Sequence, residues 1–464
     1  MNKTNNYVFN NFSSNLELNC INKDQLSVSS IFNLKTDNKI IEPVSNFSSI
    51  FKNIFGFEIS NKILINNSDF LKSVIYINLY DYFNTKSNSL ESRLFAVTSN
   101  FKLFELSNDF IFIDHNISFD KKPTFIQSNN KLYIHSSSDD FVLIDSEHQP
   151  LNILSMPNIK DIIDFDGYLI FSVTDNPLSV FYLNTDLIEN LTLNLDLCPK
   201  IELESKNGPI LKILKYKNSI YIFQEFSVLK LENIDITPTL KQTCFIETKI
   251  SANTIQTIDD YIIFNSTSGL YIFDGNDLKQ VFENYTKFIR VYNEQSISFN
   301  NKYYLKTKFL IEQIYNTVLL EFDLHTNNCS IYKIGEIIDL YKIQTLTNYQ
   351  FVVALKENNF INLYSLNTNE YQSQEKCIAF NPIIFNSFYQ KQITKLKVLG
   401  EGHYTLTIST ENDEKSFDCY NTTDLNNVSI KGFYFKIKIS GLKSFIVKSI
   451  MISTRPLGEI WSTK

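Results

Sequence analysis

The chain has 464 residues, of which 43% are hydrophobic and 20% are charged, and its formal net charge is −7. This hydrophobic content excludes an intrinsically disordered protein, and the length suits two or three domains, or one large array with an appendage. The acidic balance argues against a duplex-DNA-binding protein, which normally carries a basic footprint.

Targeting signals and cysteine motifs are not found. The first residues have no apolar stretch behind a basic start, so we expect no secretory signal. No run of about 18 apolar residues occurs, so we expect no membrane partner. The cysteines contain no CxxC pair and are predicted to be packed, free thiols of a reducing compartment. They lie at positions 20, 198, 244, 329, 377 and 419.

Residues 1–70 are polar and uneven, with short apolar segments at 28–32 and 50–57. We predict that they form an N-terminal arm that packs on, or pairs with, the main body. A terminal strand that completes the last sheet of a closed array is a common way to hide two open edges.

From about residue 71 onward a short sequence pattern recurs. An apolar strand is followed by a polar turn and then by a second strand that ends in Asp, Leu or Asn. Clear copies lie at 130–145, 166–184, 218–231 and 260–274. A unit that recurs about every 40 residues is typical of a β-propeller. We therefore predict an all-β fold, with a β-propeller of six or seven blades over residues 71–382.

The strands of these units read as continuous apolar runs, as expected where a strand is buried on both faces. Examples are 261–264 and 270–273. The Asp-Gly pairs at 166–167 and 274–275 are hairpin-turn signals. Both are interpreted as structural.

The pattern of polar and apolar residues changes after the Asn-Pro pair at 381–382, which is a turn signal. Lys436, Lys438 and Ser440 alternate with apolar residues, which indicates strands with one wet face. We predict that residues 383–464 form a separate small antiparallel β-sandwich of five or six strands.

No sequence motif for catalysis or cofactor binding is present. The chain has no GxGxxG, P-loop, HExxH or GxSxG pattern. The loop at 274–277 is too short for an EF-hand and is interpreted as a hairpin tip. The five histidines, without ligand-like partners in the sequence, are expected to be solvated or satisfied by protein groups. They lie at 115, 135, 148, 325 and 403. We predict no enzyme and no catalytic, cofactor-binding or metal-binding residues.

A propeller glycosidase is the enzymatic alternative. Recognition of a sugar carboxylate favours a cluster of arginines, because the guanidinium fork matches it. Arg93, Arg290 and Arg455 are the only arginines, and Arg455 lies outside the predicted propeller. Three or more basic and acidic side chains that converge on the central channel would favour this alternative.

Several segments resemble one family. The blade phrases resemble those of β-propeller virion proteins from short-tailed bacteriophages, of the packaged-DNA stabilisation and tail-accessory type. The last segments are similar to the C-terminal β-domain of those proteins. These segments are 122–134, 208–229, 255–275, 391–402, 432–441 and 450–458. The resemblance covers about 90–460, whereas residues 1–70 match no part of the family and glycine, at 11 residues, is scarcer than in such propellers.

The resemblance implies a structural component of a tailed-phage virion, assembled in the host cytoplasm. It would lie in the tail or neck below the portal, where it would help to close the tail channel and retain packaged DNA. Its partners would be portal, adaptor or tail proteins and further copies of itself in a homo-oligomeric ring. Sequence-specific nucleic acid, membranes and cofactors are not expected. A cytosolic protein-interaction propeller is the alternative from a different class.

Overall fold

A computed structural model describes most of the chain from residue 74 onward and separate strands before it. The described ranges are 5–9, 12–16, 26–32, 34–37, 40–43, 46–49, 74–84, 86–98, 101–106, 112–119, 123–128, 131–136, 141–144, 151–153, 158–184, 195, 198–233, 238–311, 313–344, 349–357, 360–367, 375–385 and 389–457. Nearly all of these residues lie in strands and their turns, so the predicted all-β class is confirmed. Within these ranges, no helix has the length and hydropathy to span a bilayer.

Six short strands precede the main body. They are β1 (Asn5–Phe9), β2 (Phe12–Leu16), β3 (Leu26–Phe32), β4 (Leu34–Asp37), β5 (Ile40–Pro43) and β6 (Asn46–Ser49).

Seven antiparallel sheets of four strands then follow one another along the chain, and we number them ring sheets 1 to 7. Ring sheet 1 contains β7 (Val74–Asn84), β8 (Ser89–Thr98), β9 (Lys102–Leu106) and β10 (Phe112–Ser118). Ring sheet 2 contains β11 (Thr124–Ser128), β12 (Lys131–His135), β13 (Phe141–Ile144) and β14 (Leu151–Ile153). Ring sheet 3 contains β15 (Ile159–Phe165), β16 (Tyr168–Val173), β17 (Ser179–Asn184) and β18 (Lys200–Glu202).

The next sheets have the same order of strands. Ring sheet 4 contains β19 (Ile210–Tyr216), β20 (Ser219–Gln224), β21 (Ser227–Glu232) and β22 (Thr239–Phe245). Ring sheet 5 contains β23 (Gln256–Ile258), β24 (Tyr261–Ser266), β25 (Gly269–Phe273) and β26 (Leu278–Val281). Ring sheet 6 contains β27 (Ile289–Phe299), β28 (Lys302–Ile311), β29 (Ile314–Asp323) and β30 (Asn328–Tyr332). Helical turns occur at Ser205–Asn207, Ala252–Thr254 and Glu283–Thr286.

Ring sheet 7 takes its fourth strand from the beginning of the chain. It contains β31 (Glu336–Gln344), β32 (Tyr349–Glu357), β33 (Phe360–Asn367) and β6. β6 pairs antiparallel with β33, from Asn46 opposite Asn367 to Ser49 opposite Tyr364. Residues of the predicted N-terminal arm therefore cover the open edge of this sheet.

The seven sheets close into a ring. The first strands contact one another between ring sheets 2 and 3, 3 and 4, 5 and 6, and 6 and 7, and β31 of ring sheet 7 contacts β7 of ring sheet 1. One apolar cluster joins Val352 of ring sheet 7 to Phe95 of ring sheet 1 and Ile134 of ring sheet 2. Other clusters join the remaining neighbours. The first strands are therefore the inner strands of the ring.

Strand burial follows the apolar runs in the sequence. The second strand of each sheet is enclosed between neighbouring sheets, and Ile262 to Ser266 of β24 are all buried. Asp166 and Gly167 both have positive φ, at 49° and 82°, in the two-residue turn between β15 and β16. This is the geometry of a tight hairpin turn. The loop at 274–277 is also a hairpin tip, as predicted, because β25 and β26 pair on either side of it.

The remaining strands form one eleven-stranded sheet together with β1 to β5. They are β34 (Lys376–Phe380), β35 (Lys391–Ser409), β36 (Glu414–Tyr420), β37 (Thr423–Gly432), β38 (Lys436–Gly441) and β39 (Phe445–Pro456). β34 pairs with β38, so this sheet begins before the predicted boundary at residue 382. β3 pairs with β34, and β1 and β5 pair with β39.

The 19-residue strand β35 links two halves of this sheet. Its first part pairs with β37 and β39, and its last part pairs with β36 and β38. Gly402 has φ of +88°, and a Cβ atom on it would lie 2.4 Å from the carbonyl oxygen of Ser444. The close approach of β35 to Ser444 therefore requires glycine at this position.

A continuous apolar core connects the eleven-stranded sheet to ring sheets 5 and 6. Leu406 and Ile439 of the former share one cluster with Phe282, Tyr285 and Phe322 of the latter. β3 and β4 also contact β30, which is the outer strand of ring sheet 6. The eleven-stranded sheet thus packs against the outside of the ring.

Candidate functional site: the inner strands of the ring

Apart from β7, whose register shifts between Val74 and Tyr76, four inner strands carry a register shift near their beginning. The shifts lie between Ile159 and Asp161 in β15, Ile210 and Lys212 in β19, Arg290 and Gln295 in β27, and Ile337 and Asp339 in β31. A bulge of this kind redirects the next side chain. In each strand the residue that follows the shift is polar or charged.

In ring sheets 3 to 5 these polar side chains bind the backbone of the next inner strand. Lys160 Nζ donates to the carbonyl oxygen of Ile210 at 2.5 Å, and Asp161 Oδ2 accepts from the backbone N–H of Ile213 at 2.5 Å. Lys212 Nζ donates to the carbonyl oxygen of Ile255 at 2.8 Å. The side chains therefore connect sheets that share no backbone ladder.

The same arrangement continues in ring sheets 5 to 7. Gln256 Nε2 donates to the carbonyl oxygen of Ser296 at 2.9 Å. Gln295 donates to the carbonyl oxygen of Leu340 at 3.2 Å and accepts from its N–H at 3.1 Å, and it also donates to Asp339. We call the set the inner polar belt. It consists of Lys160, Asp161, Lys212, Gln256, Gln295 and Asp339.

Burial controls the charges of the belt. Asp161 keeps some accessible surface, yet protein atoms surround its carboxylate closely. Burial raises the pKa of Asp161 to about 6, although Lys212 and two backbone N–H groups oppose the shift. Burial also lowers the pKa of Lys212, against the attraction of Asp161. Desolvation thus exceeds the attraction within this pair, and a buried pair of this kind adds little net stability.

The belt does bring basic and acidic side chains together, as the glycosidase alternative requires. However, the polar atoms of Lys160, Asp161 and Lys212 are already bonded to the neighbouring sheet. These contacts use one N–H of each ammonium group, and one oxygen of Asp161, to link neighbouring sheets.

The arginines lie outside the belt and apart from one another. Arg93 binds Glu105 in ring sheet 1, and Arg290 lies over the ring of Tyr315 with its Cζ 5.6 Å from the centroid. Arg455 donates to Gln392 Oε1 at 2.7 Å in the eleven-stranded sheet. They therefore form no cluster that could hold a sugar carboxylate.

Ring sheet 1 contains a charged cluster that sequence reasoning missed. Arg93 donates to both carboxylate oxygens of Glu105, at 2.6 and 2.7 Å, and His115 Nε2 lies 2.9 Å from Glu105 Oε2. Burial disfavours the carboxylate, but these hydrogen bonds and charges outweigh it and lower the pKa of Glu105 to about 2. The three residues lie on three successive strands, so their spacing in the sequence carries no signal.

Other histidines also have partners that their sequence neighbours did not indicate. His325 Nε2 lies 3.2 Å from Asp259, and His403 Nε2 lies 2.8 Å from Asp418. His135 is buried, and burial lowers its pKa to about 4. His115, His325 and His403 thus each have a carboxylate partner. His148 lies outside the described residues.

The described ranges contain neither a candidate metal-binding group nor a disulfide bond. No group of three or more His, Cys, Asp and Glu side chains there could hold a metal ion. None of the five described cysteines is in a disulfide bond. Burial raises the pKa of Cys244 to about 11, which makes its thiol a poor nucleophile.

Comparisons with known proteins show distant likeness to solved structures. No protein-family model matches the sequence, and neither does any curated protein. Dihydro-heme d1 dehydrogenase NirN in complex with DHE is 12% identical, with a TM-score of 0.42 over 72% of this chain and 75% of that one. BBS1N in complex with ARL6DN is 9% identical, with a TM-score of 0.41 over 64% and 95%. The designed Ika8 protein is 10% identical, with a TM-score of 0.36 over 59% and 80%. These TM-scores are below 0.5, so the three likenesses carry no functional argument.

Proposed function

We propose that the protein is a non-catalytic structural protein. In this proposal the seven ring sheets are the blades of a seven-bladed β-propeller, and the eleven-stranded sheet, folded at β35, is its β-sandwich. The observation that carries the proposal is the use of the inner polar belt, because its charged groups join the inner strands. A ring with its polar groups committed in this way is suited to be a rigid platform.

The wider setting rests on the resemblance of the blade and tail segments to virion proteins of short-tailed bacteriophages. On that basis the protein belongs to the tail or neck below the portal, where it helps to close the channel and retain packaged DNA. Its partners are portal, adaptor or tail proteins and other copies of this chain.

Exposed apolar side chains on both parts supply contact surface for such assembly. Ile314 and Tyr315 lie at the beginning of β29, and they are 67% and 42% exposed. Tyr389, Tyr420 and Leu442 are exposed around the eleven-stranded sheet. Large exposed aromatic and aliphatic side chains are typical anchors of protein interfaces.

The test is to find the protein in purified particles. Mass spectrometry of density-purified virions is expected to detect the chain in a fixed ratio to the portal protein, and its gene is expected beside portal and terminase genes. Particles assembled without it are expected to lose their DNA. Its presence in infected-cell lysate together with its absence from the particles would contradict the proposal.

A further inference from the structure

A buried carboxyl group lies between ring sheets 5 and 6. Glu294 occupies the register shift of β27 and is 4% exposed. Asn265 Nδ2, from β24 of ring sheet 5, donates to Glu294 Oε1 at 2.9 Å. Thr307 Oγ1, from β28 of ring sheet 6, donates to the same oxygen at 2.9 Å. One carboxyl oxygen therefore receives two donors, one from each sheet.

Among the described residues, the second carboxyl oxygen, Oε2, receives no donor. Within the described part of the chain, neither Glu294 Oε2 nor Asn265 Oδ1 has a hydrogen-bond partner, and both atoms are fully buried. The Ser251 hydroxyl is close enough to favour the charged form of Glu294, but it does not reach hydrogen-bonding geometry with Oε2. Two buried acceptors without a donor are costly, and a single proton between them would remove both defects.

We propose that Glu294 is a proton-binding site: the folded protein holds it as the neutral carboxylic acid, paired reciprocally with Asn265. The Oε2 hydroxyl donates to Asn265 Oδ1, while Asn265 Nδ2 donates to Oε1. The carboxylate takes this proton from solvent when the two sheets pack together, and it returns the proton when they separate. The pair is a protonation-dependent link between two neighbouring sheets of the ring.

Among the described residues, no cationic side chain acts on the pKa of Glu294. Ring sheet 5 and its connection present Ser251, Thr254 and Asn265, and ring sheet 6 presents Thr307 and Tyr303. The charged side chain of the same strand, Arg290, is directed to the ring of Tyr315. Burial is the largest influence and raises the pKa of Glu294, while the hydrogen bonds from Asn265 and Thr307 oppose it.

The direction of the pH effect follows from the raised pKa. The contribution of the neutral pair is complete below the pKa of an unfolded glutamate, about 4.3. It is lost as pH rises through the higher pKa of the folded state, because ionisation breaks the bond to Asn265 and leaves a buried charge.

The same ring sheet provides a matched control. Glu321 of β29 is also buried, at 6% exposure, but both of its oxygens have donors. Oε1 lies 2.5 Å from Lys302 Nζ, and Oε2 accepts from the Tyr332 hydroxyl at 2.7 Å. These two donors suit an ionised carboxylate at Glu321. A neutral amide is expected to suit position 294 and to disturb position 321.

The experiment compares the full-length wild type with Glu294→Gln and Glu321→Gln in urea unfolding from mildly acidic to alkaline pH. E294Q is expected to fold with an equilibrium constant within about threefold of wild type at acidic pH, and to show a shallower decline than wild type as pH rises, since Asp161 alone then contributes to the decline. E321Q is expected to lower the constant by about tenfold or more at neutral pH. A loss in E294Q equal to that in E321Q, with the wild-type pH slope retained, would overturn the proposal.

Infrared spectroscopy supplies an independent measurement. Because Asp161 is also protonated at mildly acidic pH, the spectra are compared in the Asp161→Asn background. There the protein is expected to show a protonated-carboxyl C=O band that disappears when E294Q is added and remains when E321Q is added. If E294Q does not fold, the spectrum of Asp161→Asn alone still tests whether a second protonated carboxyl group is present. The absence of any such band from the folded Asp161→Asn protein at that pH contradicts a neutral Glu294.

Discussion

The ring and the eleven-stranded sheet bury their apolar side chains by different means. In the ring, each sheet is complete in itself, and neighbours are joined by modest apolar clusters and by side chains of the inner polar belt. In the eleven-stranded sheet, distant parts of the chain are joined by backbone ladders, and residues from both parts of β35 belong to one apolar cluster.

The difference shows where side-chain chemistry matters most. A backbone ladder tolerates many side chains, because its hydrogen bonds belong to the main chain. A contact between sheets has no such ladder, so single polar residues determine how neighbours fit and respond to pH. Changes of charge should therefore act mainly on the ring, whereas changes of backbone path should act mainly on the eleven-stranded sheet.

The largest expected effect comes from removing the early strands. Deletion through residue 49 removes β1 to β5 from the eleven-stranded sheet and β6 from ring sheet 7. The exposed edges are expected to cause aggregation, seen by size-exclusion chromatography. Deletion through residue 45 leaves β6 in place, so hydrogen exchange at 360–367 is expected to stay slower than in the longer deletion. Equal exchange there in both proteins would contradict the assigned role of β6.

A smaller effect is expected from adding a side chain at Gly402 of β35. Gly402→Ala places a Cβ atom against the carbonyl oxygen of Ser444 at positive φ, and it is expected to cost about 2–4 kcal/mol of unfolding free energy. Gly335 is the control, because its φ is +116° but no atom lies within 4 Å of the added Cβ. Gly335→Ala is expected to cost about 1 kcal/mol. Equal costs in thermal unfolding would show that β35 does not need the close approach.

The smallest effect is expected in the inner polar belt. Because the pKa of Asp161 is raised to about 6 from an unfolded value of about 3.9, its contribution is lost as pH rises through about 6. Asp161→Asn keeps an acceptor for the N–H of Ile213 and is expected to be about 1–2 kcal/mol more stable than wild type above that pH. Exposed Asp166 is the control, and Asp166→Asn is expected to have no measurable effect on urea unfolding. A destabilised Asp161→Asn protein at alkaline pH would show that the carboxylate is required.

Local pattern was enough for much of the fold. The apolar run at 261–264 and the Asp-Gly turn at 166–167 report burial and turn geometry directly, since both depend on adjacent residues. The pairing of β1 with β39 depends on which distant edges meet, and no local pattern encodes that choice. Asp161 and Glu294 owe their environments to register shifts, which period-two alternation does not reveal.

The position of β6 has a consequence for biosynthesis. This strand is made before ring sheets 1 to 6 and its partner β33 after them, and β1 must wait longer still for β39. Closure of such long loops is slow, and unpaired early strands stay exposed to wrong partners while translation continues. The ring can therefore close only late, which makes chaperone protection of the nascent chain most valuable before ring sheet 7 emerges.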